Sequence, residues 1–327
     1  MPRDRHLRSG YQGDFGFEQF LPSSLLAERP VGHTGAVPPP LALQRLCHVN
    51  AVVESYERSL AHVAKRWGAV VNFEVPDNGE RRAFLCTLGD VIFELVVPND
   101  PTSLTGRGAR LARYGNHYDG LEFSVASVDD ARRTCQELGL EVIADQGSFF
   151  YTSSDDCLGV SWEIFGQDWH ELLAPDSAAS HGWVPVPPRA HWSDEHAWGL
   201  LGLHRISLVV EVLEIAVARL AAVSGAEVLY RCERGPAVAD AVGLRVGDTV
   251  IELLAPAGEG PVRRFLDRYG ERLRATVFCV GDLDALERSA AQQGIDLVEG
   301  DAPGTRAIRP ADNLGLLFEF TEEPPPR

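Results

Sequence analysis

Basic residues are scarce in this chain: 30 lysines and arginines stand against 47 aspartates and glutamates in 327 residues, a formal net charge of −17. That deficit excludes a nucleic-acid partner, because holding a phosphate backbone needs a cationic surface. No apolar run approaches the ~20 residues needed to cross a bilayer, so no membrane partner is expected. The N-terminal stretch MPRDRHLRSGYQGDFGFEQF carries charge but lacks the apolar segment of a secretory signal. The six cysteines (Cys47, Cys86, Cys135, Cys157, Cys232 and Cys279) are scattered, with no CxxC pair. Their spacing excludes a cysteine-built zinc site and, without a signal, points to reduced thiols in a cytoplasm. Also missing are a glycine-rich phosphate loop ahead of a helix and a G-x-S-x-G nucleophile elbow. What is present, 45% hydrophobic and 24% charged residues, is the composition of a globular protein with enough chain for two ordinary cores.

The strongest positive feature is a repeat. Four segments run through the same events: an apolar alternating strand, an amphipathic helix, a helix-ending glycine and a closing strand with one glutamate. The helix ends are WGAVV at Gly68, LGLEV at Gly139, SGAEV at Gly225 and QGIDL at Gly294. Glycine takes the left-handed position after a helix at little cost, and each is followed by a β-prone run. The closing strands are VIFELVVP with Glu94, VSWEIFG with Glu163, VIELLAP with Glu252 and LLFEFTE with Glu319. From glycine to glutamate the spacings are 26, 24, 27 and 25. The opening strands begin at His48 (HVNAVV), Gly120 (GLEFSV), Arg205 (RISLVV) and Ala275 (ATVFCV), and lie 20, 19, 20 and 19 residues before their glycines. Copies one and three are slightly long and copies two and four slightly short, the mark of a duplicated pair. About two further strands fit between each helix and its glutamate strand, as in RRAFLCTLGD before Val91.

The expected fold is therefore α+β: four β-α-β-β-β modules in two halves, with mixed sheets and flanking helices. Residues 1–40 form an N-terminal extension, 41–169 the first domain, 170–199 a Pro-, His- and Trp-rich linker, and 200–327 the second domain. The spacing leaves open whether module one closes its cup with module two or with module four. His62 and Trp67 on the first helix read as surface and packing residues. The linker histidines His181, His191 and His196 lack metal spacing and read as solvated.

With its fourfold spacing, the chain resembles the vicinal oxygen chelate superfamily: glyoxalase I, methylmalonyl-CoA epimerase, extradiol dioxygenases and bleomycin-resistance proteins. The resemblance covers about 280 residues, everything but the extension and the linker. It implies that the modules pair into two cup-shaped mixed sheets, with metal ligands at the first inward position of each opening strand and at the inward carboxylate of each closing strand. All four carboxylates are present, but only His48 supplies a histidine. The other slots hold Gly120, Arg205 and Ala275. His117 and His204 lie three positions and one position before their slots, an offset that points to the opposite face of a strand.

For the first cup the resemblance implies a divalent ion (Zn, Fe, Mn, Co or Ni) on His48, Glu94 and Glu163. Asn50, Glu122 and Ser124 are the other inward positions, polar where a structural core would be apolar. Glu122 and Glu94 are the catalytic candidates, and Asn50 and Ser124 are candidates for binding substrate. In the second cup Arg205 faces Glu252 and Glu319, as an ion-pair cluster or as an anchor for an anionic substrate. The expected activity is proton transfer on a small oxygenated carbonyl substrate: isomerisation, epimerisation or a lyase step. Extradiol-type ring cleavage with a relocated iron site and non-catalytic small-molecule sequestration are the alternatives. The expected partners are that substrate and a second copy of the chain as a homodimer.

Overall fold

The four stop glycines end the module helices in space as they do in sequence. Gly68, Gly139, Gly225 and Gly294 all sit in the left-handed region, with φ from 64° to 69°. There a side chain would be strained and glycine is not. The computed structural model describes residues 39–77, 79–99 and 106–326, so most of the expected 1–40 extension lies outside the described residues. No described helix is long and apolar enough to cross a membrane.

In the first half the strands are β1 (Leu43–Val52), β2 (Val70–Val75), β3 (Arg81–Leu88), β4 (Val91–Pro98), β5 (His117–Val125), β6 (Val142–Asp145), β7 (Phe149–Thr152) and β8 (Ser161–Phe165). In the second they are β9 (Leu200–Val209), β10 (Glu227–Arg234), β11 (Ala239–Val246), β12 (Thr249–Pro256), β13 (Arg272–Val280), β14 (Leu297–Glu299), β15 (Arg306–Ile308) and β16 (Leu317–Thr321). The module helices are α1 (Tyr56–His62), α3 (Val128–Leu138), α6 (Leu213–Ser224) and α8 (Leu283–Gln292). Ser55, Ser127 and Asp282 cap three of them by accepting a backbone N–H from the first turn.

Each half closes into one eight-stranded mixed sheet, in the orders β2-β3-β4-β1-β5-β8-β7-β6 and β10-β11-β12-β9-β13-β16-β15-β14. Strands β1 and β5 are antiparallel neighbours, as are β9 and β13. Module one therefore pairs with module two, and three with four. Two helices without a counterpart in the repeat join the modules of each half: α2 (Gly106–Tyr114) and α7 (Pro261–Tyr269).

One apolar core runs across both halves behind the sheets. It joins Trp67, Phe93 and Phe318, whose rings lie 4.7 to 5.5 Å apart, to the buried faces of the module helices. Phe93 and Trp162, one residue before their glutamates, belong to this core, so the glutamates point the other way, into the cups. Trp67 also donates its indole N–H to Asn313 of the second half at 2.5 Å.

The halves are clasped reciprocally. Asp248, at the β11–β12 turn, accepts the Leu46 N–H at 2.9 Å, and Asp90, at the β3–β4 turn, accepts the Leu203 N–H at 2.6 Å. Each contact falls two residues before a ligand slot of the opposite half. Gly159 and Gly315 lie against the backbone of Glu271 and Asn116, where an added Cβ would sit 1.6 and 2.5 Å from a carbonyl oxygen.

The 170–199 stretch does more than tether the halves. Its helices α4 (Trp169–Leu172) and α5 (Pro175–His181) bring fully buried Leu173 against Leu85 and Ile92 on the concave face of the first sheet. Phe73 stacks between Trp169 and Trp183 at 5.4 and 4.5 Å. His196, expected in solvent, hydrogen-bonds through Nε2 to the Trp67 carbonyl at 2.8 Å and packs over Gly68. In the second cup α7 does the covering, with Val262 and Leu266 on Val209, Ala241 and Leu254.

Candidate metal centre

Cross-strand register builds the first cup's floor. In the pairing of β1 with β5, His48 stands opposite Glu122 and Asn50 opposite Gly120. In the parallel pairings, Asn50 stands beside Glu94 and Glu122 beside Glu163. Residues paired directly across a sheet share a face, so these side chains converge. His48, Asn50, Glu94, Glu122, Ser124 and Glu163 are all buried.

The ligand atoms of His48, Glu94 and Glu163 lie within 4.8 Å of one another. His48 Nε2 is 3.7 Å from Glu94 Oε2 and 3.6 Å from Glu163 Oε2, and neither ring nitrogen has a hydrogen-bond partner. The residues fit a divalent ion on their own chemistry: one imidazole nitrogen and two carboxylate oxygens converge, and the orphaned nitrogen is aimed at the shared point. Leaving such a nitrogen buried and unpaired costs about 1–3 kcal/mol, which an ion would relieve.

The surrounding groups hold the carboxylates. Arg81 lies 3.1 Å from Glu94 Oε1, leaving Oε2 toward His48, and Asn50 donates to Glu163 Oε2 at 3.4 Å. Burial opposes ionisation of Glu163, but the neighbouring His48 imidazole and the charge of Arg107 outweigh it and hold its carboxyl below the usual range. Glu122 goes the other way. Burial first, then Glu163, Cys47 and Glu94, pushes it well above the ordinary glutamate value. Its Oε1 is 3.4 Å from His48 Nδ1, on the side of the ring away from the other two acids. Ser124 sits one inward step further along β5. The Gly120 slot holds no side chain because a Cβ there would lie 2.6 Å from the Ser161 carbonyl oxygen.

Two groups were not singled out from sequence. Arg107 on α2 bonds Asp119 through Nε at 3.0 Å and sits 5.7 Å over the Tyr151 ring. Tyr151 pairs with Glu163 across β7 and β8. The only signal for Arg107 was the arginine-rich GRGARLARYG run, which carries no strand period. His117 returns to the Val52 side through a bulge at Asp119, but its Nδ1 goes to the Gly115 carbonyl and its Nε2 lies 3.8 Å from Asp119, outside the His48 group. A cleft of about 130 Å³ between the halves, lined among others by Arg45, Asp90, Ile92 and His170, reaches His48.

No family model matches the sequence, and no curated protein matches it. Solved structures do match the fold. A variant of 4-hydroxymandelate synthase from Streptomyces coelicolor aligns over 85% of this chain and 92% of its own, with a TM-score of 0.63 at 15% identity. A variant of homoprotocatechuate 2,3-dioxygenase from B. fuscum aligns over 87% and 73%, with a TM-score of 0.56 at 15% identity. A xylose isomerase-like TIM barrel/4-hydroxyphenylpyruvate dioxygenase fusion aligns over 87% of this chain and 50% of that one, with a TM-score of 0.58 at 12% identity. The chain shares the fold of these structures, the fold that its resemblance to the vicinal oxygen chelate superfamily implied.

In vicinal oxygen chelate terms the second cup has the same frame with different contents. Arg205 takes the slot of His48, and its Nε donates to Glu252 at 2.9 Å while its NH2 stands 3.9 Å from Glu319. Glu252 also accepts from Tyr230 at 2.9 Å, from Arg234 Nε at 3.1 Å and from Ser207 at 3.3 Å. Arg205 is 1% exposed. His204 turns its Nδ1 to Arg205 at 3.0 Å, and burial together with that cation lowers it to about 4.

Glu319 gives this cup a pH signature. Burial first, then Asp301, against the pull of Arg205, raises its carboxyl to about 8. The folded protein thus keeps a proton that the unfolded chain has released, so the contribution is full at low pH and is lost as pH rises through the folded value. Urea midpoints of the wild type are expected to fall between about pH 5 and pH 8, on the order of a few kcal/mol in stability. Glu319→Gln should flatten that slope. Parallel pH profiles would reject the assignment.

Proposed function

We propose that the first cup is a divalent-metal centre on His48, Glu94 and Glu163, and that the protein is a metal-dependent enzyme transferring a proton next to a carbonyl of a small oxygenated substrate. The observation that carries this reading is the buried, unpartnered Nε2 of His48 between two carboxylates. A bound ion would polarise a substrate oxygen and so acidify the adjacent C–H. The protein's own groups do the rest. Arg81 fixes the outer oxygen of Glu94, Asn50 holds Glu163, and Glu94 is the carboxylate assigned to carry the proton. The linker's Leu173 and its aromatic stack close one end of the cup against water.

A second reading, oxygen-dependent cleavage of a catechol ring, is supported by the 2,3-dioxygenase among the whole-chain neighbours. It is weakened by the donor set, since oxygen-activating iron sites usually carry two histidines and one carboxylate. Proton NMR in deuterium oxide with 2-oxo and 2-hydroxy carbonyl compounds separates the two. Metal-dependent exchange of the hydrogen beside the carbonyl, without oxygen uptake, is expected. Oxygen uptake with catechols and added Fe(II), and no exchange, would replace the first reading with the second.

A further inference from the structure

We propose that Glu122 is the positioning residue of this centre: its carboxyl takes the Nδ1 side of His48, so that Nε2 is the nitrogen presented to Glu94 and Glu163. This deepens the metal reading and rests on it.

The geometry is specific. His48 and Glu122 are direct cross-strand partners on β1 and β5. Glu122 Oε1 lies 3.4 Å from Nδ1, and neither atom has a hydrogen-bond partner elsewhere or a well-aligned hydrogen bond to the other. The residues are 3% and 2% exposed. A carboxyl oxygen accepting beside Nδ1 keeps the imidazole proton there and leaves the Nε2 lone pair free for a metal, an arrangement that orients the ring. Glu122 is also the parallel-register neighbour of Glu163, so one side chain buttresses two members of the ligand set.

The second half supplies an internal control. In the pairing of β9 with β13, Arg205 occupies the His48 slot and its cross-strand partner is Val277. Where the slot holds no imidazole, the partner position holds no carboxyl. Packing alone is therefore met by valine at this place in the fold. A buried acid there, next to two others, carries a desolvation and repulsion cost that a packing role does not require.

The test compares wild type, Glu122→Val and Glu122→Gln. Valine copies the second half and keeps the strand apolar, while glutamine keeps an oxygen able to accept from Nδ1–H. Titration with Co(II), read by its visible absorption and by calorimetry, should show binding weakened about 10- to 100-fold in the valine variant, with most of the loss restored by glutamine. Nitrogen-15 NMR of the metal-free proteins should find the His48 proton on Nδ1 in wild type and a shift toward Nε2 in Glu122→Val. Equal Co(II) affinity and spectra in all three proteins, with an unchanged tautomer, would overturn the proposal. A wild type that takes up no metal would sink the metal reading instead, and the tautomer measurement would still decide the role of Glu122. Unfolding curves for each variant guard against a loss of fold being read as a loss of positioning.

Discussion

The His48→Ala protein is expected to lose divalent-metal binding by more than about a hundredfold while remaining folded. The imidazole is the only nitrogen donor of the three ligand residues, and the two carboxylates left behind repel each other without it. Groups that merely orient a ligand are typically worth 10- to 100-fold in affinity, so the ligand itself should exceed that. Thermal unfolding is a convenient readout. A ligand at about a thousand times its Kd stabilises a folded protein by about 4 kcal/mol, so the wild type should gain clearly on adding Zn(II), Mn(II), Co(II), Ni(II) or Fe(II). The variant should gain nothing. Metal analysis of the two proteins as purified gives the same comparison without titration. A wild type indifferent to every one of these ions would end the metalloenzyme reading.

Glu252→Ala is expected to cost the second half about 3–5 kcal/mol, the usual penalty for removing one partner of a buried charge network. Glu252 is the hub of its cup. Taking it away leaves Arg205, which is 1% exposed, with only His204 and the more distant Glu319, and leaves Tyr230, Arg234 and Ser207 without their acceptor. Arginine cannot shed its proton to escape, whereas a carboxyl in the same position could. The melting temperature should fall on the order of 10 °C. The metal affinity of the first cup should be unchanged within about twofold in protein that is still folded, since the sites share no side chain. A loss below about 1 kcal/mol would mean that water enters the cup and solvates the stranded guanidinium. The contrast with His48→Ala is the informative part: one change removes a ligand site with little effect on the metal-free fold, and the other removes stability with no effect on the site.

The frame of the molecule was legible because its signals are local. A left-handed glycine after a helix and a period of two along a strand leave their mark in single residues, and Gly68, Gly139, Gly225 and Gly294 are all where that logic puts them. The inward aim of Glu94 and Glu163 followed from alternation, with Phe93 and Trp162 turned to the core beside them. The partner of His48 did not follow. Alternation named no cross-strand neighbour for His48, and the antiparallel pairing of β1 with β5 places Glu122 opposite it and Asn50 opposite Gly120. Alternation tells which face a residue occupies and not which strand lies beside it, so the pairing of modules was open for the same reason. Helices α2 and α7 and the course of the linker left weaker marks. Leu173 and Trp183 owe their burial to a surface made by distant strands, and nothing in the residues around them repeats. For His117 the offset alone points to the opposite face unless a bulge intervenes, and the strand does bulge at Asp119.

The clasp between the halves has a consequence for how the chain can be rearranged. Asp248 holds the strand that carries His48, and Asp90 holds the strand that carries Arg205, so each half ends its opening strand on a group the other provides. Cut within the linker, the two fragments would each carry an unsatisfied strand end and a bare apolar back, and should assemble only with one another. The covalent connection is then replaceable, while the crossed pairing is not.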